Sequence, residues 1–319
     1  MRPAAGPGSI CMAEPLSPSR QPRPLVFGEV LFDCFPDGQE IMGGAPFNVA
    51  WHLQGFGARP LFVSRIGEDA RGARVRAAMG TWGMDDSGLQ RDNHHPTGVV
   101  RIAQDGASHS FDILPDQAYD HIDRAAAVAA AQSLAPALLY HGSLITRAPP
   151  ARDALAGLRE VSGAPTFVDI NLRAPWWEPG RTEVLMRGAR WLKLNDEEIA
   201  ALRPVSAAAE PRAAVVDAAI RLRAELGVER IILTYGAAGA SYVDDQVVSG
   251  QPPPVPVLVD TIGAGDAFSA VTILGLLHGW DAPTSLQRSL DFAARICAQR
   301  GATAADAALY KGYREAWGL

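Results

Sequence analysis

Residues 255–279 restrict the fold of this chain more than any other part of the sequence. The first part, 255–259, is an apolar run rich in valine and predicts a buried strand. The apolar segment after Asp266 predicts a helix that ends at Gly279. Because Gly263 and Gly265 lie between them, we expect the strand to enter the helix through a tight turn with almost no side chains.

A turn of this kind is suited to hold an anion. The first N–H groups of a helix have no intrahelical partner and lie at the positive end of its dipole, which stabilises a negative oxygen. We therefore predict an anion hole at Gly263, Ala264 and Gly265, with the Asp266 carboxylate at its edge. Phosphoryl transfer needs both parts, because charge grows on the phosphoryl group while the attacking hydroxyl loses a proton. A glycine-rich turn also serves in many α/β proteins only to bring a helix close to a sheet.

Composition excludes several classes of function. The 319 residues are 48% hydrophobic and 20% charged, enough for one large core and a small appended one. A formal net charge of -6 and the lack of Lys/Arg runs argue against a nucleic-acid partner. Three cysteines, Cys11, Cys34 and Cys297, lack metal-ligand spacing and favour a reducing compartment, so we expect a cytoplasmic protein. Residues 1–24 predict a disordered leader without a signal peptide or membrane span, and we expect no membrane partner.

The rest of the chain alternates between predicted strands and helices. This rhythm is typical of parallel βαβ units and predicts one α/β domain over 25–319, with a mostly parallel central sheet and helices on both faces. The strands are expected at about 24–33, 58–67, 137–141, 166–173, 191–195 and 230–235. The helices are expected at about 48–55, 70–82, 122–134, 151–161, 212–226, 285–299 and 303–317.

One segment interrupts the rhythm. Residues 97–104 and 107–114 predict two short strands joined at Asp105-Gly106, which is a strong hairpin signal. Together with a strand near 31–42, the hairpin predicts a small β-sheet lid, formed by about 31–44 and 97–114, over a cleft. The exposed edge of such a sheet favours a homodimer through the lid.

Polar residues follow most of the predicted strands. In open α/β sheets, ligands bind beyond the carboxyl ends of the strands, so one cleft is expected to gather these groups. They are Asp33, 169–173, 195–198, 234–239 and 260–266. For some of them a structural role is the alternative: Asp33 as a turn residue, Asn48 as a helix N-cap, and Glu197 and Glu198 as acids that complement a helix dipole.

The string DTIGAGDAF at 260–268 resembles the C-terminal signature of the ribokinase-like (PfkB) family of carbohydrate kinases. Residues 43–50 resemble the glycine pair and asparagine of its N-terminal signature, 195–198 are similar to its Asn-x-x-Glu motif, and 234–240 resemble the loop along the nucleotide. The resemblance implies that Asp266 is the catalytic base and that the sugar hydroxyls are held by Asp33, Gly43, Gly44 and Asn48.

The same resemblance implies the cofactors of the reaction. It assigns Asn195 and Glu198 to magnesium and phosphates, Glu198 through water, and it places ATP along Thr234, Gly236, Gly239, Gly263 and Gly265. A potassium site built from the carbonyls of Asp260 and Ile262 is also implied.

The segment 169–173, followed by Trp176 and Trp177, looks most like bacterial fructokinases. Asn171 and Arg173 would then bind substrate, with Arg173 neutralising the transferred phosphate. We therefore expect an ATP-dependent kinase that phosphorylates a primary hydroxyl of a ketohexose. The lid string at 111–120 departs from the usual fructokinase pattern, which leaves other acceptors open: ribose, a nucleoside, or 2-keto-3-deoxygluconate with Arg101 facing the acid. A non-catalytic sugar-binding regulator on the same fold is the alternative from another functional class.

Overall fold

The computed structural model of the protein describes residues 23–105, 108–132, 134–205, 211–255 and 257–319. Nearly all of the predicted leader lies outside these residues. The strands are β1 (Pro24–Phe27), β2 (Leu31–Cys34), β3 (Glu40–Gly43), β4 (Leu61–Gly67), β5 (Leu89–Asp92), β6 (Gly98–Asp105), β7 (Ser108–Ile113), β8 (Leu138–Gly142), β9 (Thr166–Asp169), β10 (Trp191–Asn195), β11 (Arg230–Thr234), β12 (Ala240–Val243) and β13 (Val247–Gly250). The α-helices are α1 (Ala45–Gly55), α2 (Ala70–Thr81), α3 (Arg124–Gln132), α4 (Pro149–Ser162), α5 (Pro179–Arg187), α6 (Asp196–Leu202), α7 (Pro211–Leu226), α8 (Ala264–His278), α9 (Ala282–Ile296) and α10 (Ala307–Trp317).

In the described part of the chain, the central sheet has nine strands in the order β13-β12-β11-β10-β9-β8-β1-β4-β5. The strands from β11 to β5 are parallel to their neighbours, and β12 and β13 add an antiparallel hairpin at one edge. The prediction of a mostly parallel central sheet is therefore confirmed.

The helices cover both faces of this sheet because successive strand residues point to opposite sides. In β1, Val26 packs into a cluster with Phe47 of α1 and Val271 of α8. Its neighbours Leu25 and Phe27 pack on the other face with α3 and α4, whose apolar residues complete a second cluster. Strands β10 and β11 supply a third cluster with α7. The sequences of these strands are therefore nearly continuous apolar runs, as expected for a sheet that is buried on both faces.

A smaller sheet lies beside the central one, in the order β3-β2-β6-β7 among the described residues. Strand β2 pairs antiparallel with β3 and parallel with β6, and β6 pairs antiparallel with β7. The predicted hairpin is therefore formed, although its turn residues 106 and 107 lie outside the described residues. Leu31, Val100 and Ile113 of this small sheet pack against Leu144.

The predicted continuous strand over 24–33 is wrong. The chain leaves the central sheet after β1 at Gly28 and enters the small sheet at Leu31. A side chain at Gly28 is excluded, because its Cβ would lie 2.2 Å from Cγ of Pro46. The close approach of α1 therefore requires glycine where the chain passes from one sheet to the other, and Glu29 lies in this connection.

The predicted strand over 255–259 is also wrong. Val257, Leu258 and Val259 lie in irregular backbone and are 66%, 64% and 53% exposed. Prolines at 252–254 cannot donate to a strand ladder. The N–H groups of Val259 and Asp260 instead donate to the carbonyl of Cys297, at 2.9 and 3.2 Å, so the segment is tied to the loop after α9.

The predicted helix that follows is confirmed, with an earlier start. Helix α8 begins at Ala264, so Asp266 lies in its first turn, and it ends at Gly279 in the left-handed conformation (φ 65°). None of the described helices has the length and apolarity needed to cross a bilayer.

Candidate active site

A cavity of about 500 Å³ lies at the carboxyl ends of the central strands, beside the small sheet. Asp169, Asn195 and Thr234 are the last residues of β9, β10 and β11, and all three line it. The cavity also brings together most of the site residues predicted from sequence: Asp33, Gly44, Asn48, Asn171, Arg173, Asn195, Glu198, Thr234, Ile262, Gly263, Gly265 and Asp266.

The remaining predicted residues lie around this cavity. Gly43 adjoins it, since a Cβ there would lie 3.8 Å from Oδ2 of Asp33 and from Oδ1 of Asn48. Ala264 is the first residue of α8. Gly236 and Gly239 lie in the turn after β11 and are not among the described residues that line the cavity.

Asp260 does not line the cavity, and its carboxylate holds the backbone of two loops. Oδ1 accepts a hydrogen bond from the N–H of Ile262 at 2.9 Å, and Oδ2 accepts one from the N–H of Gly301 at 3.1 Å. The side chain therefore fixes the approach to the turn before α8. Ile262, two residues later, reaches the cavity.

The turn before α8 is closely packed. Gly263 has a left-handed conformation (φ 81°), and a Cβ at this position would lie 2.3 Å from Cβ of Ala302. The N–H groups of Gly265 and Asp266 make no hydrogen bond to any residue in the described ranges. The first turn of α8 therefore presents free N–H groups and the positive end of the helix dipole to the cavity.

Asp266 is half-buried and held by a residue from the other end of the chain. Its Oδ2 accepts a hydrogen bond from Nδ2 of Asn48 at 2.7 Å. Asn48 is buried in the first half of α1, whose N-cap is Gly44, so the interpretation of Asn48 as an N-cap is wrong. Burial raises the pKa of Asp266 to about 6, and the hydrogen bond from Asn48 opposes that rise.

Asp33 lies in β2, opposite Ile41 of β3 and Val100 of β6, so it is a strand residue and not a turn residue. Burial raises its pKa to about 6, while the positive charge of Arg173 opposes the rise. Asp33 and Asp266 thus face the cavity as two weakly basic carboxylates, with one guanidinium close to them.

Asn195 and Glu198 cap α6. Asn195 Oδ1 accepts from the N–H of Glu198 at 2.7 Å, and Glu198 Oε2 accepts from the N–H of Asn195 at 2.9 Å, which forms a capping box. The other carboxylate oxygen, Oε1, accepts from the N–H of Leu172 at 2.7 Å. Burial raises the pKa of Glu198, and these backbone hydrogen bonds lower it. Glu198 therefore has a structural role and also lines the cavity.

Lys193 is a site residue that the sequence patterns did not identify. It lies in β10 opposite Asp169 of β9, and its Nζ donates to Oδ2 of Asp169 at 2.8 Å, with both side chains nearly inaccessible. Burial alone would lower the pKa of Lys193, but the ion pair with Asp169 outweighs it and the pKa is raised. Nζ also lies 3.6 Å from the place where a Cβ of Gly265 would stand. A fixed positive charge therefore lies next to the first turn of α8.

Replacing Lys193 by methionine should lower the free energy of unfolding by about 3–5 kcal/mol, because it leaves the buried Asp169 without its partner. The double variant K193M/D169N, which removes both charges, should recover part of the loss. The control is Lys311→Met in the exposed pair Lys311–Glu315, where each side chain is 68% exposed and the loss should stay below about 1 kcal/mol. Chemical denaturation of the four proteins measures these differences, and equal losses for K193M and K311M would contradict the prediction.

Comparison with known proteins agrees with this architecture. The family model described as pfkB family carbohydrate kinase matches residues 34–308. A fructokinase of Klebsiella pneumoniae is 29% identical over 272 residues, covering 80% of this chain and 84% of that protein.

Two solved structures have the same fold. Fructokinase from Vibrio cholerae, in its fructose-, ADP- and calcium-bound form, has a TM-score of 0.75 at 24% identity and covers 91% of this chain and 98% of its own. Aminoimidazole riboside kinase from Salmonella enterica, complexed with aminoimidazole riboside and an ATP analog, has a TM-score of 0.74 at 24% identity and covers 91% and 99%. The resemblance noted in the sequence is therefore confirmed, since the family match extends over most of the chain: this protein belongs to the pfkB family of carbohydrate kinases.

Proposed function

We propose that the protein transfers the γ-phosphoryl group of ATP to a primary hydroxyl of a ketohexose, with fructose as the acceptor. The observation that carries this proposal is the Asp266 carboxylate in the first turn of α8, next to free backbone N–H groups, on the same cavity as Asp33 and Asn48. One cavity thus contains a base, an anion site and polar groups for a polyol.

In this mechanism Asp266 accepts the proton of the primary hydroxyl as its oxygen attacks the γ-phosphorus. A carboxylate is a weak base for an alcohol, so proton transfer is late and positioning contributes most of the rate. The hydrogen bond from Asn48 fixes the carboxylate toward the acceptor. The N–H groups of Gly265 and Asp266, together with the charge of Lys193, stabilise the negative charge on the transferred group.

Asp33, Gly43, Gly44 and Asn48 form the acceptor side of the cavity in this proposal. Asp33 accepts hydrogen bonds from sugar hydroxyls, and the glycine pair lets the backbone approach the sugar closely. A Cβ at Gly44 would lie 2.7 Å from the carbonyl oxygen of Glu29, so packing within the protein also leaves no room for a side chain there. Arg173 lies near the carboxylates and neutralises the transferred phosphate.

The nucleotide side of the cavity includes Asn195, Glu198 and Thr234, with Gly236 and Gly239 beyond it. Oδ1 of Asn195 and both carboxylate oxygens of Glu198 each accept a backbone hydrogen bond, so these residues fit Mg²⁺ held through water molecules. Bound with ATP, Mg²⁺ would neutralise the charge of the phosphates.

We also propose that K⁺ binds the carbonyls of Asp260 and Ile262. The ratio of the activities in potassium and sodium buffers would test this site.

Fructose is the first choice because relatives named fructokinase match most of the chain. Of the three alternative acceptors, the nucleoside and the sugar acid gain no support from the cavity. A nucleoside would be favoured by two facing aromatic rings, but in the described part of the lining Phe111 is the one aromatic residue. A sugar acid was expected to meet Arg101, but Arg101 is exposed and does not line the cavity.

A phosphorylation screen tests the proposed function. Fructose, ribose, glucose, 2-keto-3-deoxygluconate and adenosine are each incubated with ATP and Mg²⁺, and ADP release and the phosphorylated product are measured. We expect the highest kcat/KM with fructose. Preference for another acceptor would reject fructose, and no ATP turnover with any of them would favour a sugar-binding regulator.

The raised pKa values of Asp33 and Asp266, each about 6, should appear in the pH dependence. Because Asp266 acts as a base only when ionised, kcat/KM should fall below about pH 6, up to tenfold per pH unit. The contribution of these two acids to the free energy of unfolding should instead increase as the pH falls. An acid with a raised pKa holds its proton more tightly in the folded protein, so its contribution to stability is lost as the pH rises from about 4 to about 6. A constant kcat/KM between about pH 5 and 7 would contradict the raised pKa of Asp266.

A further inference from the structure

Glu29 is a buried carboxyl group that the mechanism above does not use. It lies in the short connection between β1 and β2, is 3% exposed, and lines the cavity next to Asp266 and Gly44. Its Oε2 has no hydrogen-bond partner among the described residues. A buried acceptor without a partner costs folding free energy, so a ligand that supplies the missing donor is the simplest reason for its presence.

The nearest positive charges do not satisfy this carboxyl. Arg147 attracts it but is bound to Asp120, with Nε donating to Oδ1 at 2.7 Å and Nη2 donating to Oδ2 at 2.6 Å. Its third nitrogen, Nη1, is buried and forms no hydrogen bond to Glu29 or to any other described residue. Within the described residues Glu29 forms no ion pair. Arg173 also attracts it, but this exposed side chain donates its Nη1 hydrogen bond to the carbonyl of Leu172. The free oxygen of Glu29 is thus not explained by a structural ion pair.

The chemistry of the cavity indicates what kind of group would bind there. Glu29, Asp33 and Asp266 place three carboxyl groups on its lining, near the guanidinium of Arg173. The other cation of the lining, Lys193, lies beside α8 and is already paired with Asp169. An anionic group beside these carboxyl groups, such as the carboxylate of a sugar acid, would be repelled by them. A neutral hydroxyl suits Glu29 in either protonation state, because it can donate to a carboxylate and accept from a carboxylic acid. Burial raises the pKa of Glu29 to about 7, so both states are populated at neutral pH.

We propose that Glu29 binds a hydroxyl group of the acceptor and thereby selects neutral polyhydroxylated sugars over sugar acids. This inference rests on the proposed function, since it assigns an acceptor contact within the same cavity. Glu29 acts as a specificity-determining residue, and the chemical step is left to Asp266.

The test uses Glu29→Met, which keeps the length of the side chain and removes both oxygens, and Glu29→Gln, which keeps hydrogen-bonding capacity without charge. The control is Glu315→Gln in the exposed last turns of α10. For E29M we expect the KM for the accepted sugar to rise roughly 10- to 100-fold, the range for a hydrogen bond to a charged group. The KM for ATP and kcat should stay within about twofold, and E29Q should fall between E29M and the wild type.

Two further readouts separate this contact from a structural role. The thermal midpoint of E29M without ligands should equal or exceed that of the wild type, because the variant removes an unpaired buried group. The ratio of kcat/KM for fructose to that for 2-keto-3-deoxygluconate should also fall in E29M, since the charge that repels the acid is gone.

Three outcomes would overturn the inference. The first is a sugar KM for E29M within about twofold of the wild type. The second is a lowered midpoint with kcat and both KM values changed together. The third applies if E29M does not fold, and it is an unchanged ratio of kcat/KM for fructose to that for 2-keto-3-deoxygluconate in the nearly isosteric E29Q, which removes the charge. A wild type that phosphorylates no sugar would instead reject the proposed function, which the wild-type assay decides before any variant is compared.

Discussion

Replacing Asp266 by asparagine is expected to lower kcat by about 10²- to 10⁴-fold, the usual cost of losing a general base. The sugar KM should change little. The new amide keeps an oxygen that can accept the 2.7 Å hydrogen bond from Asn48, so the geometry of the site is preserved while the basic group is lost. Steady-state kinetics with saturating ATP and sugar would measure the change.

Asp153→Asn is the matched control for this variant. Asp153 lies on the surface of α4 and pairs with Arg124, with a side chain that is 62% exposed. The same chemical change there should leave kcat within about twofold. If D266N turned over substrate at a rate close to that of the wild type, Asp266 would not be the general base.

Replacing Gly263 by alanine should be nearly as damaging, with kcat lowered by about 10²- to 10³-fold, the effect of losing donors from an anion site. The new methyl group would overlap Cβ of Ala302, which lies 2.3 Å away, so the start of α8 must move. The left-handed conformation of Gly263 adds strain for any residue with a Cβ. Movement of this turn would displace the N–H groups of Gly265 and Asp266 from the cavity.

The other end of the same helix provides the control. Gly279 has a similar conformation (φ 65°), but a Cβ there would meet no atom within 4 Å. Gly279→Ala should therefore show the conformational strain alone, with about 1–2 kcal/mol lost from the free energy of unfolding and activity retained. Equal activity losses in G263A and G279A would mean that strain in α8, and not the position of the anion site, accounts for the effect.

The sequence predicted the parts of the fold in which local pattern and tertiary packing agree. The alternation of strands and helices yields a parallel sheet, and the glycine turn before α8 lies where a side chain has no room. The hairpin of β6 and β7 followed from strand alternation and an Asp-Gly turn. In each case one short stretch contains the information that determines the structure. Strand β5 and helix α5 were not predicted, because they are short and have little apolar periodicity.

The failures arose where distant residues determine the outcome. The segment 24–33 is mostly apolar, and nothing local to it shows that it divides between two sheets at Gly28, where Pro46 of α1 leaves no room for a side chain. The valine-rich segment 257–259 has a strand-like composition, but no neighbouring strand pairs with it among the described residues, and Cys297 takes its hydrogen bonds. Apolar composition alone did not decide whether that segment would be buried.

Lys193 and Glu29 were missed for a related reason. Each is a charged residue within or beside an apolar strand, where the pattern indicates only a buried strand. A signal was present, because a buried charge needs a partner, but the partner of Lys193 is Asp169 on the neighbouring strand, which requires the strand order. Oε2 of Glu29 has no protein partner in the described part of the chain, so the role of this side chain can be inferred only from the cavity that it lines.

The hydrogen bond between Asn48 and Asp266 joins residues 218 positions apart. During synthesis, the ribosome releases the chain from its N-terminus, so Asp33 and Asn48 emerge long before α8. A nascent or truncated chain that lacks this last region would contain the residues proposed to bind sugar without the acid proposed to use it. In the proposed mechanism, the site is therefore complete only when residues from both ends of the polypeptide have come together.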